Sequence, residues 1–173
     1  IDILNSAQRP VIFAGSSAGA TAEPSEVRRL VETMRIPFVS EDSARALIPD
    51  SHEYSMGFGY QPLNPAVQHV RDADVVLMLG KKLDYTLGFG GSPPFAADTK
   101  FIVVDPSPAQ IARVRTAAVG IVGDLGHVIS QLADAAEKHS WSERTEWVAA
   151  MRSTHEKWHA DLDALGKAED PKH

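Results

Sequence analysis

The sequence of 173 residues predicts an α/β domain of three layers, with a parallel sheet of about six strands and helices on both faces. Short apolar segments bounded by Gly or Pro, such as Val11–Gly15 and Val75–Gly80, have the composition of strands buried on both faces. Segments with apolar residues at helical spacing alternate with these strands. Two long connections follow predicted strands, on the side where open α/β sheets bind ligands.

The predicted elements follow one another in a regular order along the chain. After the first strand, a helix opens at Pro24 and Ser25 and carries Val27, Leu30, Val31 and Met34 on one face. The last helix of the domain carries Leu125, Val128, Ile129 and Leu132 in the same way. The alternation predicts a Rossmann-like arrangement. Between them we predict strands at 36–40, 72–80, 100–105 and 118–124, helices at 65–72 and 107–115, and loops at 43–63 and 81–99.

The C-terminal segment carries an apolar stripe that repeats at steps of three and four residues. Such a stripe predicts a helix of about 18 residues that needs a surface to pack on, either its own domain or another domain or subunit. We therefore divide the chain into an α/β domain at 1–138 and a C-terminal helix with linker at 139–173. The stripe consists of Val148, Met151, His155, Trp158, Leu162 and Leu165.

Composition excludes several classes of partner and site. Seventeen basic and 23 acidic residues give a net charge of −6, and no Lys/Arg run is present, so we expect neither a nucleic-acid nor a membrane partner. The chain has no cysteine, which excludes disulfides and thiolate chemistry. The absence of cysteine is compatible with a reducing cytoplasm, and we expect the protein to be cytoplasmic. Because the chain starts at Ile1 without a signal peptide, we expect it to be part of something longer.

The glycines of the first loop, Gly15 and Gly19 in "VIFAGSSAGAT", are spaced G-x-x-x-G. A loop between a buried strand and a helix can bind a diphosphate, or it can be a tight turn only. Glu41 and Asp42 follow the second strand, where a dinucleotide fold places a ribose-binding carboxylate; the alternative is an exposed acidic loop. Lys81 and Lys82 could meet a phosphate at a strand end, or form a solvated surface pair.

The segment His155–His159, "HEKWH", matches the zinc-protease motif H-E-x-x-H. We do not predict zinc, because His155 lies in the apolar stripe and little chain remains for a third ligand. Ser16 and Ser17 follow a strand, but the sequence does not match the G-x-S-x-G motif of an acylating serine. The sequence thus predicts no catalytic residue and no metal ligand in this chain.

The order of these motifs resembles the central domain of thiamine-diphosphate-dependent enzymes. The segments that carry the resemblance cover about residues 8–136, and the pattern is closest to acetolactate synthase large subunits, 2-hydroxyacyl-CoA lyases and oxalyl-CoA decarboxylases. They are "RPVIFAGSSA", "LVETMRIPFVSEDSARALIPDSH", "DADVVLMLGKKLDYTLGFG", "KFIVVDPSPAQIARVR" and "VGIVGD".

The resemblance implies a three-domain parent that acts on 2-keto acids or 2-hydroxyacyl thioesters. In that family, thiamine diphosphate and Mg²⁺ bind between a pyrimidine-binding and a diphosphate-binding domain of paired subunits. The magnesium motif Gly-Asp-Gly is not complete here, since Gly123-Asp124 is followed by Leu125. We therefore expect the flanking domains as partners, a homodimeric or homotetrameric parent, and no activity of this chain alone.

The family also implies a nucleotide in this domain, FAD in acetolactate synthase or ADP in oxalyl-CoA decarboxylase, although other members bind none. Two of the three loop glycines are Ser here, and Glu41-Asp42 replaces Thr-Leu. These changes favour a domain that has lost FAD or that prefers an adenine nucleotide. A stand-alone FAD- or NAD(P)-binding module of similar fold is the alternative. The matching positions are Gly15, Ser16, Ser17, Gly80, Lys81, Lys82, Asp84, Asp105, Gly123 and Asp124.

Overall fold

The computed structural model describes residues 1–114 and 117–167. Six strands form one sheet in which every neighbouring pair is parallel, in the order β3-β2-β1-β4-β5-β6. This confirms the predicted α/β class and the Rossmann-like strand order. The strands are β1 Pro10–Ala14, β2 Phe38–Ser40, β3 Ser55–Phe58, β4 Val75–Leu79, β5 Lys100–Asp105 and β6 Val119–Val122.

Helices cover both faces of this sheet, as predicted. On one face, α3 and α5 contact each other and the core residues of the sheet. On the other face, the 3₁₀ helix Pro65–Asp72 and the first part of α6 pack on the sheet. The helices are α1 Asp2–Ser6, α2 Ser16–Thr21, α3 Pro24–Met34, α4 Pro108–Ala112, α5 Leu125–Ala136 and α6 Thr145–Lys167, with 3₁₀ helices at Asp42–Ala46, Gln61–Leu63, Pro65–Asp72 and Tyr85–Gly90.

The central strands β1 and β4 pair in register from Pro10 with Val75 to Ala14 with Leu79. All ten of their residues are buried, which explains why they are continuous apolar runs rather than alternating ones. Successive side chains enter opposite layers: Leu77 belongs to the core under α3 and α5, and Met78 to the core under α6. The register therefore fixes two cores at once.

Several elements differ from the predictions. Strand β3 lies inside the predicted loop 43–63, because it has four residues only and contains Gly57 at a φ of 74°, which interrupts any strand pattern. Helix α2 is an additional helix in the first loop, whereas the helix predicted to open at Pro24 does begin there, as α3. The helix predicted at 107–115 ends at Ala112, and its last position, Arg115, lies outside the described residues.

Helix α6 divides into a packed and an exposed part. Trp147, Met151 and His155 are buried against the sheet side of the domain. Leu162 and Leu165, the last residues of the predicted stripe, are 43% and 71% exposed. The first half of the stripe thus packs on its own domain, which was one of the two alternatives. The linker predicted after the helix lies largely outside the described residues.

The start of α6 is tied to the beginning of the chain by buried side chains that the sequence analysis did not single out. The guanidinium of Arg144 donates hydrogen bonds to the carbonyl oxygens of Leu4, Asn5 and Ala7 at 2.9–3.0 Å. The indole of Trp147 donates to the carbonyl of Pro10 at 2.8 Å. These contacts join residues more than 130 positions apart.

In the part of the chain that the structure describes, no helix has the length and apolar character needed to cross a membrane.

Candidate functional site

The strand order reverses between β1 and β4, so the carboxyl ends of these strands define the position where open α/β sheets bind ligands. The loops after both strands meet there. The amide of Gly15 donates to the carbonyl of Leu79 at 3.0 Å, and the amide of Ser17 donates to the carbonyl of Gly80 at 3.4 Å. The structure thereby brings together the predicted positions Gly15, Ser17 and Gly80.

The two glycines of this crevice are packed on main chain. A Cβ atom on Gly15 would lie 2.7 Å from the Cα of Lys81 and 2.8 Å from the carbonyl oxygen of Gly80. A Cβ atom on Gly80, which has a φ of 61°, would lie 2.7 Å from the Cβ of Ser17. Glycine is needed at both positions because the two loops touch each other there.

The loop after β2 is held against the start of α2. The hydroxyl of Ser16 donates to the carboxylate of Asp42 at 2.9 Å, and the hydroxyl of Ser43 donates to the carbonyl of Ser16 at 3.3 Å. A Cβ atom on Gly19 would lie 2.5 Å from the backbone of Ser43. The second glycine of the G-x-x-x-G spacing therefore allows this loop to approach, and Ser16 binds it.

A buried ion cluster joins the loops after β2 and β4. The ammonium of Lys81 lies 2.7 Å from a carboxylate oxygen of Glu41 and 3.2 Å from the carboxylate of Asp84, and it contacts the Thr86 hydroxyl at 3.3 Å. The side chains of Lys81 and Glu41 are each 5% exposed. The interpretation of Lys81 as half of a solvated surface pair is therefore wrong, although Lys82 is exposed. The interpretation of Glu41 as part of an exposed acidic loop is likewise wrong, because Glu41 is buried, whereas Asp42 is exposed.

Burial and charge act in opposite directions on this cluster. Burial raises the pKa of Glu41 and outweighs the Lys81 ammonium, which lowers it. Burial lowers the pKa of Lys81, but Glu41 and Asp84 outweigh burial and raise it. The two raised pKa values favour different charge states within the pair. A raised pKa favours the neutral form of Glu41, whereas it favours the charged form of Lys81. Lys81 has more partners than Glu41, namely two carboxylates and a hydroxyl, so it stays charged and Glu41 is the group that accepts a proton first on acidification.

Asp84 and Thr86 complete the cluster from the start of the loop after β4. Burial raises the pKa of Asp84, but hydrogen bonds from Thr86 and Lys81 outweigh burial and hold the pKa below its ordinary value. Thr86 donates to Asp84 through its amide at 2.9 Å and its hydroxyl at 2.6 Å. The pairing of Glu41 with Lys81 was not predicted from the sequence. Only the strand order, which places β2 and β4 on either side of β1, could have indicated it.

The other predicted positions lie at the ends of β5 and β6 and have structural contacts of their own. Asp105 is buried and accepts a hydrogen bond from the amide of Ser107 at 2.8 Å. The amide of Gly123 donates to the carbonyl of Asp105 at 3.3 Å. Asp124 caps α5 by accepting from the amide of His127 at 3.0 Å. They share the carboxyl edge of the sheet with the cluster.

A diphosphate does not fit between Gly15 and Gly80 as the residues stand. A Cβ atom on Gly15 or Gly80 would collide with Lys81 or Ser17, so the loops after β1 and β4 contact each other and leave no gap between these two glycines for a ligand. The Ser16 hydroxyl is already bound to Asp42. Carboxylates at this edge would also repel an anionic ligand, since Glu41, Asp42 and Asp84 follow β2 and β4.

The histidines of "HEKWH" do not form a recognisable metal centre. Their rings are edge to face with centroids 4.5 Å apart. His155 is buried against Gly57, and its Nδ1 has no hydrogen-bond partner among the described residues. Within 1–114 and 117–167, no three His, Cys, Asp or Glu side chains form a group that could hold a metal ion. The same finding applies to Mg²⁺.

Comparison with known protein families decides the assignment. The family described as "Thiamine pyrophosphate enzyme, central domain" matches residues 1–132, which is most of the chain and includes all six strands. The chain belongs to this family. The match confirms the resemblance. The Rossmann-like sheet described above is the sheet of this central domain.

Three relatives illustrate the range of the family. The 2-hydroxyacyl-CoA lyase of Arabidopsis thaliana is 36% identical over 132 residues, 76% of this chain and 22% of the plant protein. The oxalyl-CoA decarboxylase of Escherichia coli K12 is 29% identical over 85% of this chain and 25% of its own length. The acetolactate synthase large subunit of Corynebacterium glutamicum is 29% identical over 88% and 25%. The chain thus spans about a quarter of the relatives that it matches.

Proposed function

We propose that this chain is the central domain of a longer thiamine-diphosphate-dependent enzyme that acts on 2-keto acids or 2-hydroxyacyl thioesters. The observation that carries the proposal is the family match to residues 1–132 in a chain that spans only about a quarter of its relatives. The names of these relatives support decarboxylation, carboligation or carbon–carbon cleavage as the reaction class.

The cofactor of the parent would bind outside this chain. Thiamine diphosphate, held with Mg²⁺, supplies the nucleophilic carbon for cleaving or forming bonds next to a carbonyl group. Among the described residues, no group of three His, Cys, Asp or Glu side chains could hold the metal ion of that cofactor. The flanking pyrimidine- and diphosphate-binding domains of the parent would provide both halves of the active site, so this chain alone would be inactive.

This domain would contribute framework and part of the wall of a substrate channel. The loops that carry Tyr60 and Phe89 lie on either side of a cavity of about 100 Å³ lined in part by Gly59, Thr86 and Leu87. Tyr60 is 38% exposed and Phe89 68% exposed. Phe89 also has a φ of 51°, an uncommon conformation for a residue with a bulky side chain. An exposed aromatic residue held in this way supports a contact role for the loop.

The exposed half of α6 would contribute contacts to a flanking domain or to another subunit of a homodimeric or homotetrameric parent. Leu162 and Leu165 continue the apolar stripe beyond the part that packs on the sheet. If removal of residues 147–165 from the parent left its assembly and stability unchanged, this role would be wrong.

The coding sequence on both sides of this chain tests the proposal. We expect an upstream domain with a catalytic Glu and a downstream domain with Gly-Asp-Gly followed by Asn. The protein from the complete reading frame should consume a 2-keto acid, oxalyl-CoA or a 2-hydroxyacyl-CoA only when thiamine diphosphate and Mg²⁺ are present.

The matched control is this chain alone, assayed with the same substrates and cofactors. It should show no turnover while its fold, measured by circular dichroism, is intact. Turnover by the isolated chain, or a complete reading frame without either flanking domain, would contradict the proposal.

A further inference from the structure

The side chain of Lys81 crosses the end of β1. Lys81 follows β4 after Gly80, Glu41 directly follows β2, and β1 lies between these two strands. The 2.7 Å contact between the Lys81 ammonium and Glu41 therefore passes over the carboxyl end of β1, where Gly15 begins the loop. In a fold of this strand order, that is where a diphosphate would approach.

Glu41 occupies the position at which a dinucleotide fold places its ribose-binding carboxylate, directly after the second strand. One of its oxygens is bound by Lys81. The other, Oε1, has no hydrogen-bond partner among the described residues and is covered by Gly59, on which a Cβ atom would lie 2.7 Å from it. Within the cluster, Oε1 is the buried acceptor that no described donor binds, and Gly59 closes one approach to it.

We propose that this domain binds neither FAD nor ADP at its strand-order reversal, because the Lys81 ammonium, held by Glu41 and Asp84, fills the site and links the loops in place of a ligand. At Gly15 and Gly80, the loops after β1 and β4 contact each other through main chain. The carboxylates of Glu41 and Asp84 pair with the Lys81 ammonium, so the charge of Lys81 is not free for a phosphate. The family resemblance left FAD, ADP or no nucleotide open at the ten matching positions, and this inference selects no nucleotide.

Nucleotide binding to the isolated chain is the first test. We titrate the chain with FAD and with ADP by isothermal calorimetry and record the melting temperature at each concentration. We expect no saturable heat up to about 1 mM ligand and no rise in melting temperature, since a ligand bound only to the folded state would stabilise it. Saturable binding of either nucleotide with a raised melting temperature would overturn the inference. It would leave the family assignment unaffected.

The stabilising role of Lys81 is the second test, with Lys82→Met as the matched control at the exposed neighbour. Removing one partner of a buried ion pair leaves a buried charge uncompensated, so Lys81→Met should raise the unfolding constant by about 10²- to 10³-fold. Lys82→Met should leave it within about threefold. Equal effects of the two substitutions would overturn the inference.

The double variant Glu41→Gln with Lys81→Met tests the same point if Lys81→Met fails to fold. Removing both charges together avoids an uncompensated ion, so the double variant should fold and recover most of the lost stability. A double variant that is no more stable than Lys81→Met would show that the two side chains do not act as a pair, and it would overturn the inference.

Discussion

At the scale of single residues, buried polar side chains hold together the loops that the sequence leaves undefined. Asn64 is an example on the side of the sheet opposite α3. Its amide group donates to the carbonyl oxygens of Met56 at 2.6 Å and Phe58 at 2.9 Å, and its oxygen accepts from the amide of Ala66 at 3.1 Å. One fully buried side chain therefore caps the helix Pro65–Asp72 and fixes β3 against it.

Replacing this amide by a carboxylate should be costly. In Asn64→Asp, an anion faces the carbonyl oxygens of Met56 and Phe58 in place of a donor, and we expect a loss of about 3 kcal/mol in unfolding free energy at neutral pH. The loss should shrink in acid, where the protonated carboxyl regains one donor. Urea unfolding at neutral pH and at acidic pH measures this loss of unfolding free energy.

The control for this substitution is Gln68→Glu, which introduces the same charge on the exposed side of the same helix. Its effect should be within about 0.5 kcal/mol. If the two substitutions cost the same, net charge rather than the Asn64 hydrogen bonds would explain the result.

At the scale of elements, α6 is attached to the sheet by its first half, and His155 lies at the end of that attachment. Burial lowers the pKa of His155, and the neighbouring charges of His159 and Arg152 lower it further, whereas Asp50 and Glu156 act in the opposite direction. The imidazole packs against Gly57 of β3. The neutral form therefore belongs to the packed helix.

This burial makes the stability of the domain depend on pH in a defined window. Because the folded-state pKa of His155 lies below its unfolded value of about 6.5, its contribution is fully present above that pH and is lost as the pH falls through the folded-state pKa. We expect His155→Gln to lose less stability than the unmodified chain between about pH 7 and about pH 5. Urea unfolding at a series of pH values gives this difference.

An exposed histidine provides the comparison. His127, which is 88% exposed at its side chain, lies on α5. The variant His127→Gln should keep the acid sensitivity of the unmodified chain, and an equal reduction in both variants would argue against His155 as its source.

At the scale of the whole molecule, much of the fold is predictable because the central strands are buried on both faces. Short, continuous apolar runs bounded by Pro or Gly, as in β1 and β4, favour strands that are buried on both faces. Strand β3 was not predictable, since Gly57 interrupts it and its attachment to the helix Pro65–Asp72 depends on the side chain of Asn64. The Glu41–Lys81 contact was not predictable either. It forms because β2 and β4 lie on either side of β1, and this strand order cannot be read from the residues around Lys81. The sequence gives the local preference, and the strand order decides the partner.

The two cores of the sheet should unfold together, because neighbouring residues of the same strand belong to different layers. Leu77→Ala and Met78→Ala should each cost about 2–5 kcal/mol, since both side chains are fully buried. Both substitutions should lower a single transition.

Tryptophan fluorescence can follow the layers separately in variants that keep one indole each. Trp141 packs against the core under α3 and α5, and Trp147 belongs to the core under α6. We expect coincident urea midpoints for the two probes in the unmodified background and in each Ala variant. Separate midpoints would mean that the layers unfold independently.

The hydrogen bonds from Arg144 and Trp147 to the first ten residues have a consequence for how the chain acquires its fold during synthesis. The carbonyls of Leu4, Ala7 and Pro10 emerge from the ribosome long before their donors are translated. Closing so distant a contact carries a large entropic cost unless the chain between its ends is already folded. These hydrogen bonds can form only after all six strands have been made, and a nascent chain that ends before residue 144 lacks them.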